Sequence, residues 1–160
     1  MRRYSTKYSS PIGEILLLSD GENLCGISFD SQKRDVDSIE NDDLEIFKKV
    51  IGWLDDYFDG KNPKINFNLK ASGTDFRMKV WKLLSQIPYG ETVTYGEIAS
   101  MISPTMSAQA VGGAVGANLI AIVIPCHRVM GKDNKLTGYA AGLDKKIELL
   151  KIENGDDFEY

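Results

Sequence analysis

The chain of 160 residues holds two cysteines, Cys25 and Cys126, and a single histidine, His127, which directly follows Cys126. A thiol is nucleophilic only as the thiolate, and a nearby base or positive charge is needed to produce it. The segment Ile124-Pro125-Cys126-His127-Arg128-Val129 is therefore the strongest chemical feature of the sequence. Adjacent residues on a regular strand point to opposite faces. For Cys126 and His127 to cooperate, the chain must turn there or a water must bridge them, and Pro125 favours such a departure from regular structure. A third group should orient the imidazole, and Glu148 and Glu153 are the candidates. The bland alternative is a buried inert thiol beside a surface histidine. That alternative suits Cys25, which sits in an apolar strand with no titratable neighbour. One histidine and two cysteines without a CxxC spacing cannot close a zinc site, so no metal is expected.

The elements that must position this segment follow from hydrophobic spacing. Residues 2–9, 12–19 and 23–29 read as short strands, with a turn signal at Ser19-Asp20-Gly21-Glu22-Asn23. The polar stretch 30–41 reads as a loop. Leu44, Phe47, Val50, Ile51, Leu54 and Phe58 recur at helical spacing, predicting a helix over 43–58 that Gly60 and Pro63 stop. Alternation of Ile65, Phe67 and Leu69 predicts a strand over 63–70. Phe76, Val80, Leu83, Leu84 and Ile87 form an amphipathic helix with Thr74 as N-cap. Thr94-x-x-Glu97 has capping-box form and opens a helix from Tyr95 to about Ile102. A further helix starts after Ser107 and runs through Gln109, Val111 and Val115. Two short helices joined by a tight turn are the pattern of a helix-turn-helix, although many folds that never touch DNA share it. Small residues from Val111 to Ala117 would let a phosphate backbone or another helix approach closely. Leu119 to Ile124 is an apolar run leading into Cys126, residues 131–142 are Gly-rich and irregular, and 144–153 is the last helix.

Composition is that of an ordinary globular chain, 42% hydrophobic and 26% charged, large enough to build a core without staples. Net charge is −4 overall, but residues 72–152 carry nine basic against six acidic residues. Such a bias is compatible with phosphate contact without establishing it. No apolar run could span a bilayer. No apolar segment follows the N-terminal arginines, so a cytoplasmic location is expected, with both thiols reduced.

Gly73-Thr74-x-Phe76, Val80-Trp81, Ile87-Pro88-Tyr89-Gly90-Glu91-Thr92, Thr94-Tyr95-Gly96, Ala110-Val111-Gly112, Ile124 to Val129 and Gly138-Tyr139 resemble the O6-alkylguanine-DNA alkyltransferases in order and spacing, over about half of the chain. The resemblance implies an α+β protein. A ribonuclease H-like α/β domain would span 1–70, and a mostly helical, winged-helix-like domain with a helix-turn-helix would span 71–160. It implies single-turnover transfer of an alkyl group from O6-alkylguanine in DNA, with O4-alkylthymine as a second substrate, after base flipping. Cys126 would be the acceptor, His127 its base through a water, and Glu153 the group orienting His127. Asn118 would support the turn, and Tyr95 would protonate the departing guanine. Val115, Val129, Tyr139 and Ala140 would line the base pocket with Tyr95. Thr94, Tyr95, Ala108, Gln109, Ala110, Gly112 and Gly113 would face DNA. Arg128 would make structural bonds. No cofactor is implied, and the partner is double-stranded DNA met by a monomer.

Three positions depart from the family's pattern. Gln109 stands where the recognition helix usually has an arginine, which predicts weaker and less salt-dependent DNA binding. Ala140 replaces a serine found in many relatives, which removes one polar contact to O6, and Ala141 replaces a glycine or arginine. Three other functions compete. A lesion-binding relative without chemistry would lack the cysteine, which is present. A sequence-specific regulator would need base-reading side chains, yet the start of the recognition helix offers almost only Gln109. A Cys-His hydrolase would need an oxyanion hole, of which there is no sign.

Overall fold

In a computed structural model, residues 2–32 and 37–160 are described, and they fall into two compact units, Met1–Ser72 and Gly73–Tyr160. The first is built on three antiparallel strands, β1 (Tyr4–Ser10), β2 (Gly13–Ser19) and β3 (Leu24–Phe29), with a two-residue strand β4 (Ile39–Glu40) pairing parallel to β1 in the order β3-β2-β1-β4. Ile15 and Leu17 on β2, together with Ile27 on β3, point into the core with no exposure, as the period of two requires. Helix α1 (Glu45–Phe58) lays Ile46, Phe47, Val50, Trp53, Leu54 and Tyr57 against the sheet. Each large apolar side chain so buried contributes about 1.5–3 kcal/mol.

Three expectations change here. The stretch 30–41 contains β4 and one 3-10 turn, Asp30–Gln32, with residues 33–36 of that reading lying outside the described residues. The strand expected over 63–70 is a single bridge. Leu24 N–H donates to the Asn68 carbonyl and Lys70 N–H to the Leu24 carbonyl, both at 2.8 Å. Ile65 is 48% exposed, so the alternation continues past the point where a partner strand exists to use it. Cys25 also has a titratable neighbour after all: the Arg3 guanidinium donates to its sulfur at 2.8 Å. That contact arises from chain pairing, which local sequence does not reveal.

The second unit is helical. Helix α2 (Asp75–Leu84) is capped by Thr74, whose oxygen accepts from Arg77 N–H. Strand β5 (Val93–Thr94) runs into α3 (Tyr95–Ile102), and Ser107 caps α4 (Ala108–Gly116). The Thr94–Glu97 capping box is present in both directions. α4 packs on α2 and α3, and the buried Trp81 indole donates to the Ala114 carbonyl at 2.8 Å. Strand β6 (Val129–Met130) pairs parallel with β5, and α5 (Leu143–Asn154) follows. Among the described residues, no helix is long and apolar enough to cross a membrane.

Candidate active site

Cys126 lies at the end of a sequence of tight turns. Val123 N–H donates to the Ala121 carbonyl at 2.8 Å, a three-residue γ-turn centred on Ile122 at φ 69°. This form of the γ-turn is rare and strained, the more so for a β-branched residue. A second γ-turn of the relaxed hand follows, centred on Pro125 (φ −82°, ψ 66°), with Cys126 N–H donating to the Ile124 carbonyl at 2.8 Å. Asn118 holds this arrangement from inside: its amide nitrogen donates to the Ile124 carbonyl at 2.8 Å, and its oxygen accepts from Ile120 N–H at 3.1 Å. The chain then enters a 3-10 turn, Cys126–Arg128. Of the two ways for Cys126 and His127 to cooperate, the chain does turn here, and Leu119–Ile124 is an irregular, mostly buried segment.

Beneath the turn, α5 presents a buried stripe of Lys146, Leu149, Leu150 and Glu153. Glu148 is exposed, so helical phase selects Glu153 from the two candidate carboxylates. Nε2 of His127 lies 2.5 Å from Oε2 of Glu153, and Arg128 Nε donates to Oε1 at 2.7 Å. Gly90 N–H adds a bond to Oε1 at 3.2 Å, which its φ of +80° makes available. Arg128 Nη1 also donates to the Ile87 carbonyl at 2.8 Å, and its guanidinium lies over the Tyr89 ring. The Ile87-Pro88-Tyr89-Gly90 motif is therefore one wall of the carboxylate's socket.

Burial would raise the Glu153 carboxyl, but His127 and Arg128 overcome it and hold the group well below the usual carboxylate range. Burial lowers the His127 imidazole, outweighing the pull of Glu153. A neutral ring whose Nε2–H donates to a carboxylate carries its lone pair on Nδ1, where it can accept a proton. Cys126 is 7% exposed. Burial pushes its thiol up, against the Asn118 and Tyr139 side chains and the charge of Lys146. The Tyr139 phenol is itself raised, first by burial and then by Cys126.

Lys146 was missed by sequence reasoning. It has no exposure at all, and its ammonium donates to the Val129 carbonyl at 2.6 Å and the Thr137 carbonyl at 3.4 Å. It thereby ties the strand after the cysteine to the loop that carries Tyr139. Burial brings its pKa down to about 8. The available signal was its helical spacing, three and four residues before Leu149 and Leu150 and seven before Glu153.

The remaining expected residues divide. Val115 and Val129 are buried, whereas Ala140 is exposed. Thr94, Tyr95, Ala108, Gln109 and Gly112 come together, with Gly96, Lys132 and Asp133, around a depression of about 460 Å³. Ala110 and Gly113 are exposed but do not line it. A side chain at Gly112 would meet the Tyr95 ring at 3.8 Å, while one at Gly113 would meet nothing within 4 Å. The small residues of α4 thus serve helix packing on one side and leave an open surface on the other.

The chain is similar to known proteins in both sequence and fold. Residues 3–71 match the ribonuclease-like domain of 6-O-methylguanine DNA methyltransferase, and residues 75–155 match its DNA binding domain. The methylated-DNA–protein-cysteine methyltransferase of Haemophilus influenzae is 44% identical over 94% of this chain and 86% of its own length. That of Methanosarcina acetivorans is 45% identical over 94% of this chain and 97% of its own. The crystal structure of Mycobacterium tuberculosis OGT in complex with DNA superposes with a TM-score of 0.86 at 39% identity, covering 96% of this chain and 92% of that one. On these grounds the chain belongs to the 6-O-methylguanine DNA methyltransferase family.

Proposed function

We propose that this protein repairs DNA directly, moving the alkyl group of an O6-alkylguanine onto Sγ of Cys126 once per molecule. The observation that carries the reading is the buried series of Cys126, His127 and Glu153, with the carboxylate 2.5 Å from the imidazole. The alkylated base leaves the stack, because its O6 substituent is hidden within a duplex. Tyr95, Val115, Val129, Tyr139 and Ala140 line the pocket that receives it. Thr94, Ala108, Gln109, Ala110, Gly112 and Gly113 face the duplex with Tyr95. His127 Nδ1 takes the thiol proton through a water, and Glu153 keeps the ring oriented and stabilises the imidazolium. Asn118 keeps the turn that presents the sulfur.

The thiolate attacks the alkyl carbon in line, forming the S–C bond as the C–O bond breaks. The electron pair stays with guanine O6, and Tyr95 supplies the proton that makes guanine a neutral leaving group. The product thioether has no route to hydrolysis, so the molecule is used up. O4-alkylthymine is a second substrate of the same chemistry. The protein works as a monomer in the cytoplasm, where Cys25 and Cys126, both free, stay reduced.

The test is mass measurement after incubation with a duplex bearing O6-methylguanine. The expected result is one added methylene per chain, on the peptide containing Cys126. No added mass indicates a protein that only binds lesions, and repeated turnover indicates a hydrolase.

A further inference from the structure

The charge around the depression does not match a polyanionic partner. From residue 83 to residue 127 the sequence has no lysine or arginine and two acids, Glu91 and Glu97. Both helices of the helix-turn-helix pair lie in this interval. The next cation, Arg128, is buried and bound to Glu153 and the Ile87 carbonyl, and Lys146 is buried on two carbonyls. Neutralising phosphates is the main source of affinity for DNA, so a cation must come from elsewhere.

Lys132 meets that need. Among the described residues, it is the one cation lining the depression, and it is exposed and forms no ion pair. The pairing of β6 with β5 brings it to the start of α3, because β5 runs directly into that helix. Its loop is held by the 2.7 Å bond from Gly131 N–H to the Lys135 carbonyl, with Asp133 and Asn134 both at positive φ. Asp133 also lines the depression but does not engage Lys132. The first residues of α3 (Tyr95, Gly96) and of α4 (Ala108, Gln109) surround the same space. The positive ends of two helix dipoles therefore accompany the ammonium.

We propose that Lys132 makes a phosphate contact beside the depression and supplies the charge that the helical pair lacks. This inference rests on the DNA reading above. The experiment measures Kd for an unmodified duplex across a salt series with the parent, Lys132→Ala and Lys132→Arg, alongside the unfolding midpoint of each. Loss of one phosphate contact lowers the slope of log Kd against log salt by about 0.9. The expected result is that loss in Lys132→Ala, a several-fold weaker Kd at low salt, an unchanged midpoint, and a parental slope in Lys132→Arg. A parental slope in Lys132→Ala overturns the proposal, whether or not affinity or the midpoint falls. A parent that shows no salt-dependent duplex binding overturns the DNA reading itself.

Discussion

The carboxylate of Glu153 reaches the ring of His127 across 26 residues of chain, Oε2 to Nε2 at 2.5 Å, while its other oxygen takes Arg128. One side chain from the last helix thus fixes two consecutive residues of the cysteine turn. Glu153→Gln should lower the rate of alkyl transfer by about 100-fold or more, the scale of a misplaced general base, with duplex affinity retained. Glu153→Ala should also destabilise the fold by about 3–5 kcal/mol, because it leaves Arg128 buried without its counter-charge. Single-turnover kinetics and urea unfolding measure the two effects.

Burial holds the His127 pKa below its ordinary 6.5. Its neutral form, the one able to accept a proton, therefore persists as the solution is acidified through that value. The transfer rate should stay level from neutral pH down to 6.5 and inflect only below it. An inflection at or above 6.5 in the single-turnover rate contradicts this assignment.

Ile122 occupies the left-handed region at φ 69° with 1% exposure. In ordinary positions glycine is less stable than alanine, but here alanine would keep the backbone strain and glycine would lose it. Ile122→Gly should therefore be more stable than Ile122→Ala by about 1 kcal/mol. Both should fall below the parent, since deleting a buried isoleucine side chain costs about 2–5 kcal/mol. Denaturant midpoints of the three proteins decide the order.

Lys146 has a folded pKa of about 8 against an ordinary 10.5. Between those values the unfolded chain binds more protons than the folded one, so this group makes stability rise with pH. Its largest contribution to the slope is about 1.4 kcal/mol per pH unit. In Lys146→Met, that rise across mildly alkaline pH should be missing, as measured by urea unfolding at a series of pH values beside the parent. The loss of its tie between Val129 and Thr137 should also slow alkyl transfer.

Gln109 is exposed and lines the depression without charge. Gln109→Arg should steepen the salt dependence of duplex binding by about 0.9 in log–log slope and speed repair. An unchanged slope and rate would show that the neutral residue costs nothing.

Local sequence rules carried much of the helical unit. The Thr74, Thr94 and Ser107 caps are short-range chemistry, and each lies where its spacing placed it. The Cys126–His127 adjacency pointed to a turn for a stereochemical reason. What stayed hidden depends on contacts distant in sequence. Choosing Glu153 over Glu148 needed the exact face that α5 buries. Lys146 reads as a solvent-facing lysine until its neighbours are known. The strain at Ile122 is invisible in an apolar run, because the run itself argues for relaxed extended backbone and only Asn118 shows what holds it otherwise. The alternation over 63–70 lacked a partner beyond Leu24.

If Cys126 is the acceptor proposed above, it is a reagent used only once and has to survive until it is needed. The sulfur of Cys126 is 7% exposed and kept mainly as thiol by its surroundings. Peroxides and stray electrophiles attack exposed thiolates, so they meet little to react with here. Partly buried Cys25 is the more accessible target of the two. The same enclosure that delays ionisation of the acceptor gives an irreplaceable atom its shelf life.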